Sequence, residues 1–361
     1  MLVYRLGSLG DTLVALPSLH LIARAFPNAE RRLLTNFPVS SKAPAAAAVL
    51  GDTGIIHSYE RYVVGTRSPV ELLKLALRIR RFRPDVLVYL MPRRGIANAQ
   101  RDAKFFRLAC GIRTLIGVAD TEDMQEFRVE PDGNLEPEAF RLARNLSALG
   151  DADVENPASW DMLLTPQEHA AAEAALAPVA AHRLIAVSVG TKVQSKDWGR
   201  DNWRALLARL AELYPQHGLV LAGAPEESEA SEYAAEGWRS TANAGPVINL
   251  CGKLTPRQSA AAFARSAVFV GHDSGPMHLA ASVQTPCVAI FAARNIPRVW
   301  FPVGKSHHVL YHRTDCAGCG SETCIEQRRK CLLSITVGEV AHAVRAVLPA
   351  SELVTIRQET P

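Results

Sequence analysis

Apolar and polar positions along this chain alternate between two patterns: short, nearly all-apolar runs, and longer stretches with apolar residues every three or four positions. The first pattern predicts buried strands and the second amphipathic helices. In the first half the runs place strands at Leu2–Leu6, Arg32–Thr35, Ile55–Ser58, Asp85–Leu90 and Thr114–Val118. In the second half they place them at Leu184–Val189, Gly218–Leu221, Val247–Leu250, Val268–Val270 and Cys287–Phe291. Helices are expected between them. Leu13, Leu16, Leu19, Ala23 and Phe26 share one face, Ser68-Pro69-Val70-Glu71 opens a helix to about Arg81, and another runs over Ile96–Ala109. Thr165-Pro166-Gln167-Glu168 opens an Ala-rich helix, and further helices follow at Asn202–Tyr214, at Glu226–Trp238 and from Thr255. Thr336 and Glu339 cap a last one, with Val340, Val344 and Val347 on one face. A hydroxyl followed three residues later by Glu or Gln satisfies free N–H groups at a helix start, with proline tolerated just inside.

Strand and helix in turn give the α/β class, with parallel, doubly wound sheets. At 361 residues the chain is too long for one typical core, so two Rossmann-like domains facing a cleft are expected. The irregular acidic stretch Asp151–Trp160 marks the linker region, and the expected bounds are 1–178, 179–335 and a C-terminal helix with frayed tail over 336–361. Composition narrows the partners. With 40 Lys plus Arg against 36 Asp plus Glu, the chain is too weakly basic to argue for nucleic acid. It has no apolar run of membrane-spanning length and opens directly on a strand, so a cytoplasmic protein is expected, with contact at a membrane surface left open.

Chemistry concentrates at strand ends. In Val268–His278 (VFVGHDSGPMH) an apolar strand runs into a polar turn and then a helix, the arrangement by which α/β proteins hold phosphate. There Ser274 can cap the helix, Gly275 admits a ligand to the backbone, and Asp273 and His278 face the same crevice. GTKVQSKDW follows an earlier strand and offers the Thr191 hydroxyl and the Lys192 or Lys196 charge. LAGAPEES places Glu226 or Glu227 at a third strand end, to accept sugar hydroxyls or to favour its own helix. At the N-terminus, GSLGDT sets Asp11 at the start of a helix, as a cap or as a carboxylate for chemistry. That turn lacks the full dinucleotide fingerprint and the second strand ends in Asn36, not an acid, which disfavours a nicotinamide oxidoreductase. Arg61, Arg67, Arg93 and Arg94 sit in loops near strand ends, where they can grip an anionic substrate or merely face solvent. Cys316, Cys319, Cys324 and Cys331 gather four of the seven cysteines, with His307, His308 and His312 upstream. Such a cluster can hold structural zinc or an iron–sulfur cluster, or remain a loop of free thiols.

Taken together and in order, RLGSLGD, GTKVQSKDW, LAGAPEE and GHDSGPMH resemble glycosyltransferase family 9, the ADP-heptose:lipopolysaccharide heptosyltransferases, over nearly the whole chain. The resemblance implies the glycosyltransferase B architecture, with an acceptor-side first domain and a nucleotide-sugar-binding second domain. It also implies a final helix crossing back to the first domain, and inverting transfer with no metal required for catalysis. It casts Asp11 as catalytic base, and Thr191, Lys196, Glu227, Asp273, Ser274, Gly275 and His278 as the donor site, with Glu226 or Ser228 able to align in place of Glu227. It implies ADP-heptose as donor, an anionic lipid-linked inner-core saccharide as acceptor, and the cytoplasmic face of the inner membrane as location. Two departures fall on the donor side. After Cys287–Phe291 the chain reads AARNIPRVWFPVG in place of a Gly-Pro-Thr-Asp turn, giving Arg294 and Asn295 a chance at new donor contacts, and Lys192 replaces the second of two threonines. A transferase for another sugar or acceptor, or a non-catalytic nucleotide-sugar-binding module, would use the same fold.

Overall fold

A computed structural model describes residues 1–37, 46–66 and 68–348. The chain forms two compact units, Met1–Leu163 and Leu164–Pro361. In the first, strands β1 (Leu2–Tyr4), β2 (Arg32–Asn36), β3 (Ser58–Tyr62), β4 (Val86–Tyr89) and β5 (Thr114–Ile116) pair in parallel in the order β3-β2-β1-β4-β5. In the second, β6 (Arg183–Ser188), β7 (His217–Leu221), β8 (Val247–Asn249), β9 (Ser266–His272), β10 (Cys287–Phe291) and β11 (His308–Tyr311) pair in parallel in the order β11-β10-β9-β6-β7-β8. Both are open, doubly wound sheets. Each reverses its strand order once, between β1 and β4 and between β6 and β9, and such a reversal opens a crevice at the carboxyl ends of the flanking strands.

Central strands follow their apolar runs, but the edge strand β3 does not. Ile55 and Ile56 are buried in the loop before it, while the strand itself is the polar, half-buried SYERY. An edge strand packs one face only, so it carries alternation instead of an apolar run. The first helix is likewise broken in two, Leu9–Val14 and Leu16–Ala25, meeting at Ala15. Pro17 has no N–H to bond back to Leu13, so a continuous ladder cannot pass. The helix after β4 runs as α-helix over Ile96–Lys104 and closes in a π-helical turn, Phe105–Ala109.

Two boundaries move from those expected. Helix Pro166–Leu176 belongs to the second unit, since Ala172 and Leu176 pack with Leu184, Val220 and Ala261. Arg257 grips Glu168 of this helix through Nε at 2.5 Å and Nη2 at 3.0 Å, with both side chains largely buried. The break therefore falls after Leu163, not at 178. The final helix, Val337–Val347, was expected to cross back to the first domain. Instead its apolar face (Val340, Ala341, Ala343, Val344) is spent inside the second unit's own core, against helix Arg200–Leu213 and β10. The tail from Ser351, expected to fray, lies outside the described residues, as does Arg67.

Candidate active site

In the second unit the residues singled out from sequence gather at the crevice between β6 and β9. Thr191 and Lys196 follow β6, Glu227 follows β7, and Asp273, Ser274 and Gly275 follow β9. Lys196 Nζ lies 2.6 Å from Asp273 Oδ2 and donates to the Asp273 backbone carbonyl at 3.2 Å, so it ties the two turns together. Asn295 Nδ2 donates to the same carboxylate oxygen at 3.2 Å. Gly275 opens helix Gly275–Ser282, and the Ser274 Oγ at its N-cap is buried with no hydrogen-bond partner. A buried, unmatched hydroxyl beside free helix N–H groups is a place for an acceptor-rich ligand. Thr191 Oγ1 accepts from the Val193 N–H at 3.4 Å, and His278 is buried one turn inside the helix.

Glu227 is distinguished from its neighbours by the glycines around it. A Cβ on Gly190 or on Gly223 would overlap its carboxylate, so both strand ends are kept bare to admit it. Its Oε2 accepts from the Ala224 N–H at 2.8 Å, whereas Glu226 is exposed. Because the obstructed atoms are the tip of a flexible side chain, Gly190→Ala is expected to fold and to swing Glu227 aside. It should weaken nucleotide binding about as much as Glu227→Ala, roughly tenfold for one lost hydrogen-bonding acceptor, and the two changes should not add. Calorimetric titration of both single variants and the double variant reads this directly.

One residue escaped sequence reasoning here. His272, the last of β9, is fully buried and its Nε2 accepts from the Trp198 N–H at 3.0 Å, pinning the turn that carries Lys196. Burial pushes its pKa down to about 4, and does the same to His307. Both are neutral in the fold. Above pH 6.5 neither state holds a proton and the fold has its full stability. Below it the unfolded chain gains protons the native chain refuses, so stability falls until about pH 4, by on the order of 3 kcal/mol per histidine. Melting temperature should drop across that window, and less steeply for His272→Gln.

The thiol loop stands behind the same turn. All seven cysteines are free, and Cys316, Cys319, Cys324 and Cys331 border one small cavity together with Arg294 and Arg329. Arg294 donates to the Gly320 and Ser321 carbonyls at 2.6 and 2.8 Å, so it braces this loop and makes no donor-side contact of the kind expected from sequence. Ser195 donates to Glu322 O and Ser321 O, Gln194 Oε1 accepts from the Cys324 N–H, and Arg329 bonds Asp197. Residues on both sides of Lys196 are thus held by the loop. Among the described residues, no three His, Cys, Asp or Glu are gathered closely enough to hold a metal ion. The upstream histidines do not help, since His307 Nδ1 accepts from the Cys287 N–H and His312 pairs with Glu339.

In the first unit Asp11 lies just past β1, beside the β1/β4 reversal. Its Oδ2 accepts from both the N–H and the hydroxyl of Ser8 at 2.7 Å, a capping-box contact. Gly7 is at φ +152°, where a side chain would overlap Asp11. Beneath it lies Arg5, missed from sequence because it sits in an apolar strand run. It is 2% exposed and bonds the Leu90 and Asp11 carbonyls, with Nη2 3.9 Å from Asp11 Oδ1. Burial lowers the Arg5 pKa and the Asp11 charge raises it. A carboxylate backed by a buried cation stays ionised and oriented, as a base must. Asn36, where an acid would have held a ribose, instead accepts the Gly7 N–H at 2.7 Å. The arginines are less concerted. Arg61 lies in β3, not in a loop, and is exposed; Arg93 pairs with Glu126 at 2.6 Å, and Arg94 lies 3.6 Å from Asp102.

The sequence model of glycosyltransferase family 9 (heptosyltransferase) matches residues 126–330, more than half of the chain. The chain belongs to glycosyltransferase family 9. It is 23% identical to the Escherichia coli lipopolysaccharide heptosyltransferase 3 over 198 residues, 54% of this chain and 53% of that one, so it spans about half the length of that curated relative. The family 9 member from Veillonella parvula superposes with a TM-score of 0.68 at 18% identity, over 96% of both chains. The E. coli heptosyltransferase WaaC with ADP-2-deoxy-2-fluoro heptose gives 0.60 at 15% identity, over 96% of this chain and 100% of that one. These family 9 structures share the two-sheet glycosyltransferase B fold seen here.

Proposed function

We propose that this chain is an inverting glycosyltransferase that moves heptose from ADP-heptose to an anionic, lipid-linked lipopolysaccharide inner-core saccharide at the cytoplasmic face of the inner membrane. The observation that carries it is the β6/β9 crevice, where the Lys196–Asp273–Asn295 cluster adjoins the unpartnered Ser274 hydroxyl and a helix N-terminus. A diphosphate supplies the acceptor oxygens this set lacks. Glu227 then takes the ribose hydroxyls, with Thr191 and His278 completing the donor side. Asp11 removes the proton of the acceptor hydroxyl as its oxygen bonds the anomeric carbon, and the bond from that carbon to the diphosphate breaks with its electron pair leaving on ADP. Lys196, Ser274 and the helix dipole meet the charge that grows there, with no metal required for that step. The WaaC complex with an ADP-sugar analogue supports the donor class. Mass-spectrometric detection of one added heptose on a truncated lipopolysaccharide acceptor tests the reading; donor bound without transfer to any acceptor would point to a binding module instead.

A second reading keeps the chemistry and changes the sugar. Asn295 reaches Asp273 from a turn where heptosyltransferases carry another sequence, which favours a different hydroxyl pattern on the donor. Competing nucleotide sugars in the transfer assay separate the two. The thiol loop is proposed as a structural site for zinc or an iron–sulfur cluster. Its four sulfurs share a cavity but do not form a closed cage, so metal binding requires the loop to draw them together. Elemental analysis of protein purified without a metal-affinity tag should find zinc or iron in stoichiometric amount; its absence would leave a loop of free thiols.

A further inference from the structure

Large apolar side chains that remain exposed are concentrated in one region of the first unit. Among the described residues eleven are exposed, and six of them (Val63, Val64, Val70, Leu73, Leu77, Leu108) fall within the segment 63–108. Helix Pro69–Phe82 buries Leu75, Ala76 and Ile79 against its sheet. On its opposite side Val70, Leu73 and Leu77 form a second apolar stripe, each more than half exposed. A helix needs only one apolar face to dock on its own core, so this stripe is left over from folding.

The charge around the stripe is strongly one-signed. Residues 61–83 carry seven Lys or Arg and one Glu, an excess of six where the whole chain has an excess of four. Lys74 and Arg81 stand one turn beyond Val70 and Leu77 on the exposed side. Arg80, on the flank, donates to the Leu108 carbonyl at 3.3 Å and brings that exposed leucine alongside. On the other flank Arg78 pairs with Glu60 at 2.7 Å and donates to the Arg61 carbonyl, which seats the helix beside the end of β3 and the Val63–Val64 loop.

We infer that this face docks on the surface of an anionic bilayer, with the helix lying in the headgroup layer, Val70, Leu73 and Leu77 below it, and the lysine and arginines at the phosphates. An apolar stripe fringed by long cationic side chains matches that environment, because the aliphatic stems bury while the charges reach the headgroups. A second copy of the chain would set the same positive face against itself in a two-fold contact. Nucleic acid would meet the charge and leave the leucines in water. No described helix is long and apolar enough to cross a membrane, so the mode is surface attachment. The role rests on the proposed lipid-linked acceptor; the surface chemistry does not.

The test is co-sedimentation of the full chain with vesicles of phosphatidylcholine alone and of equimolar phosphatidylcholine and phosphatidylglycerol. The wild type should pellet with the anionic vesicles only, and Leu73→Glu/Leu77→Glu should lower that partition about tenfold or more. Arg80→Glu/Arg81→Glu should lower it comparably and remove its dependence on salt. Each variant should keep the wild-type melting temperature and ADP affinity, since these side chains lie in solvent. Equal partition onto neutral vesicles, undiminished binding by the leucine variant, or a leucine variant that changes only the oligomeric state in light scattering would each overturn the inference. Loss of ADP binding with vesicle partition intact would instead count against the transferase reading alone.

Discussion

Asp11→Asn is expected to lower turnover by about two orders of magnitude or more and leave donor affinity unchanged, because a general base acts mainly in the transition state. The substitution is close to isosteric. An amide oxygen still accepts the Ser8 N–H that now bonds Asp11 Oδ2, so the helix start at Leu9 survives. What is lost is charge, both toward the acceptor proton and toward the buried Arg5 guanidinium. Loss of that counter-charge should cost about 1–3 kcal/mol of stability, visible as a lower melting temperature, so turnover must be measured well below it. Near-normal turnover would leave Asp11 as a helix cap and partner of Arg5, with the base elsewhere.

Lys196→Ala should weaken ADP binding by about ten- to a hundredfold, the range for loss of one charge-assisted contact to a diphosphate. Lys196 also has a resident partner, since its ammonium is paired with Asp273 and bonded to that residue's carbonyl. A purely structural lysine would change the melting temperature and not the nucleotide affinity. A phosphate-binding lysine changes both, and Lys196→Arg should restore part of each, since arginine keeps the charge and can still reach a carboxylate. Unchanged ADP affinity in the alanine variant would remove Lys196 from the donor site.

How far these positions were legible in sequence depends on what kind of signal each carries. Central strands such as Val268–Val270 and Cys287–Phe291 are buried on both faces, so composition alone reveals them. Ser58–Tyr62 is an edge strand with a polar pattern, and the buried Ile55 and Ile56 drew the prediction three residues early. The place of helix Pro166–Leu176 depends on Arg257, far along the chain, gripping Glu168, which no local pattern encodes. The same holds within the site. Asp273, Ser274 and Gly275 stand out as a polar turn after an apolar strand, and Glu227 was separated from Glu226 only once Gly190 and Gly223 were seen to flank it. Arg5 and His272 lie inside apolar strand runs, and their importance comes from what they touch across the sheet, the Asp11 backbone and the Trp198 N–H.

The central claim is that the β6/β9 crevice holds a nucleoside diphosphate with protein charges and dipoles. Calorimetric titration of the purified chain with ADP, GDP and UDP in the presence of a chelator tests it most directly. ADP should bind in preference to the other two and with no divalent ion present. Binding of none of the three, binding that returns only when a divalent ion is added, or a preference for GDP or UDP would contradict the donor site assigned to Lys196, Glu227, Asp273 and Ser274.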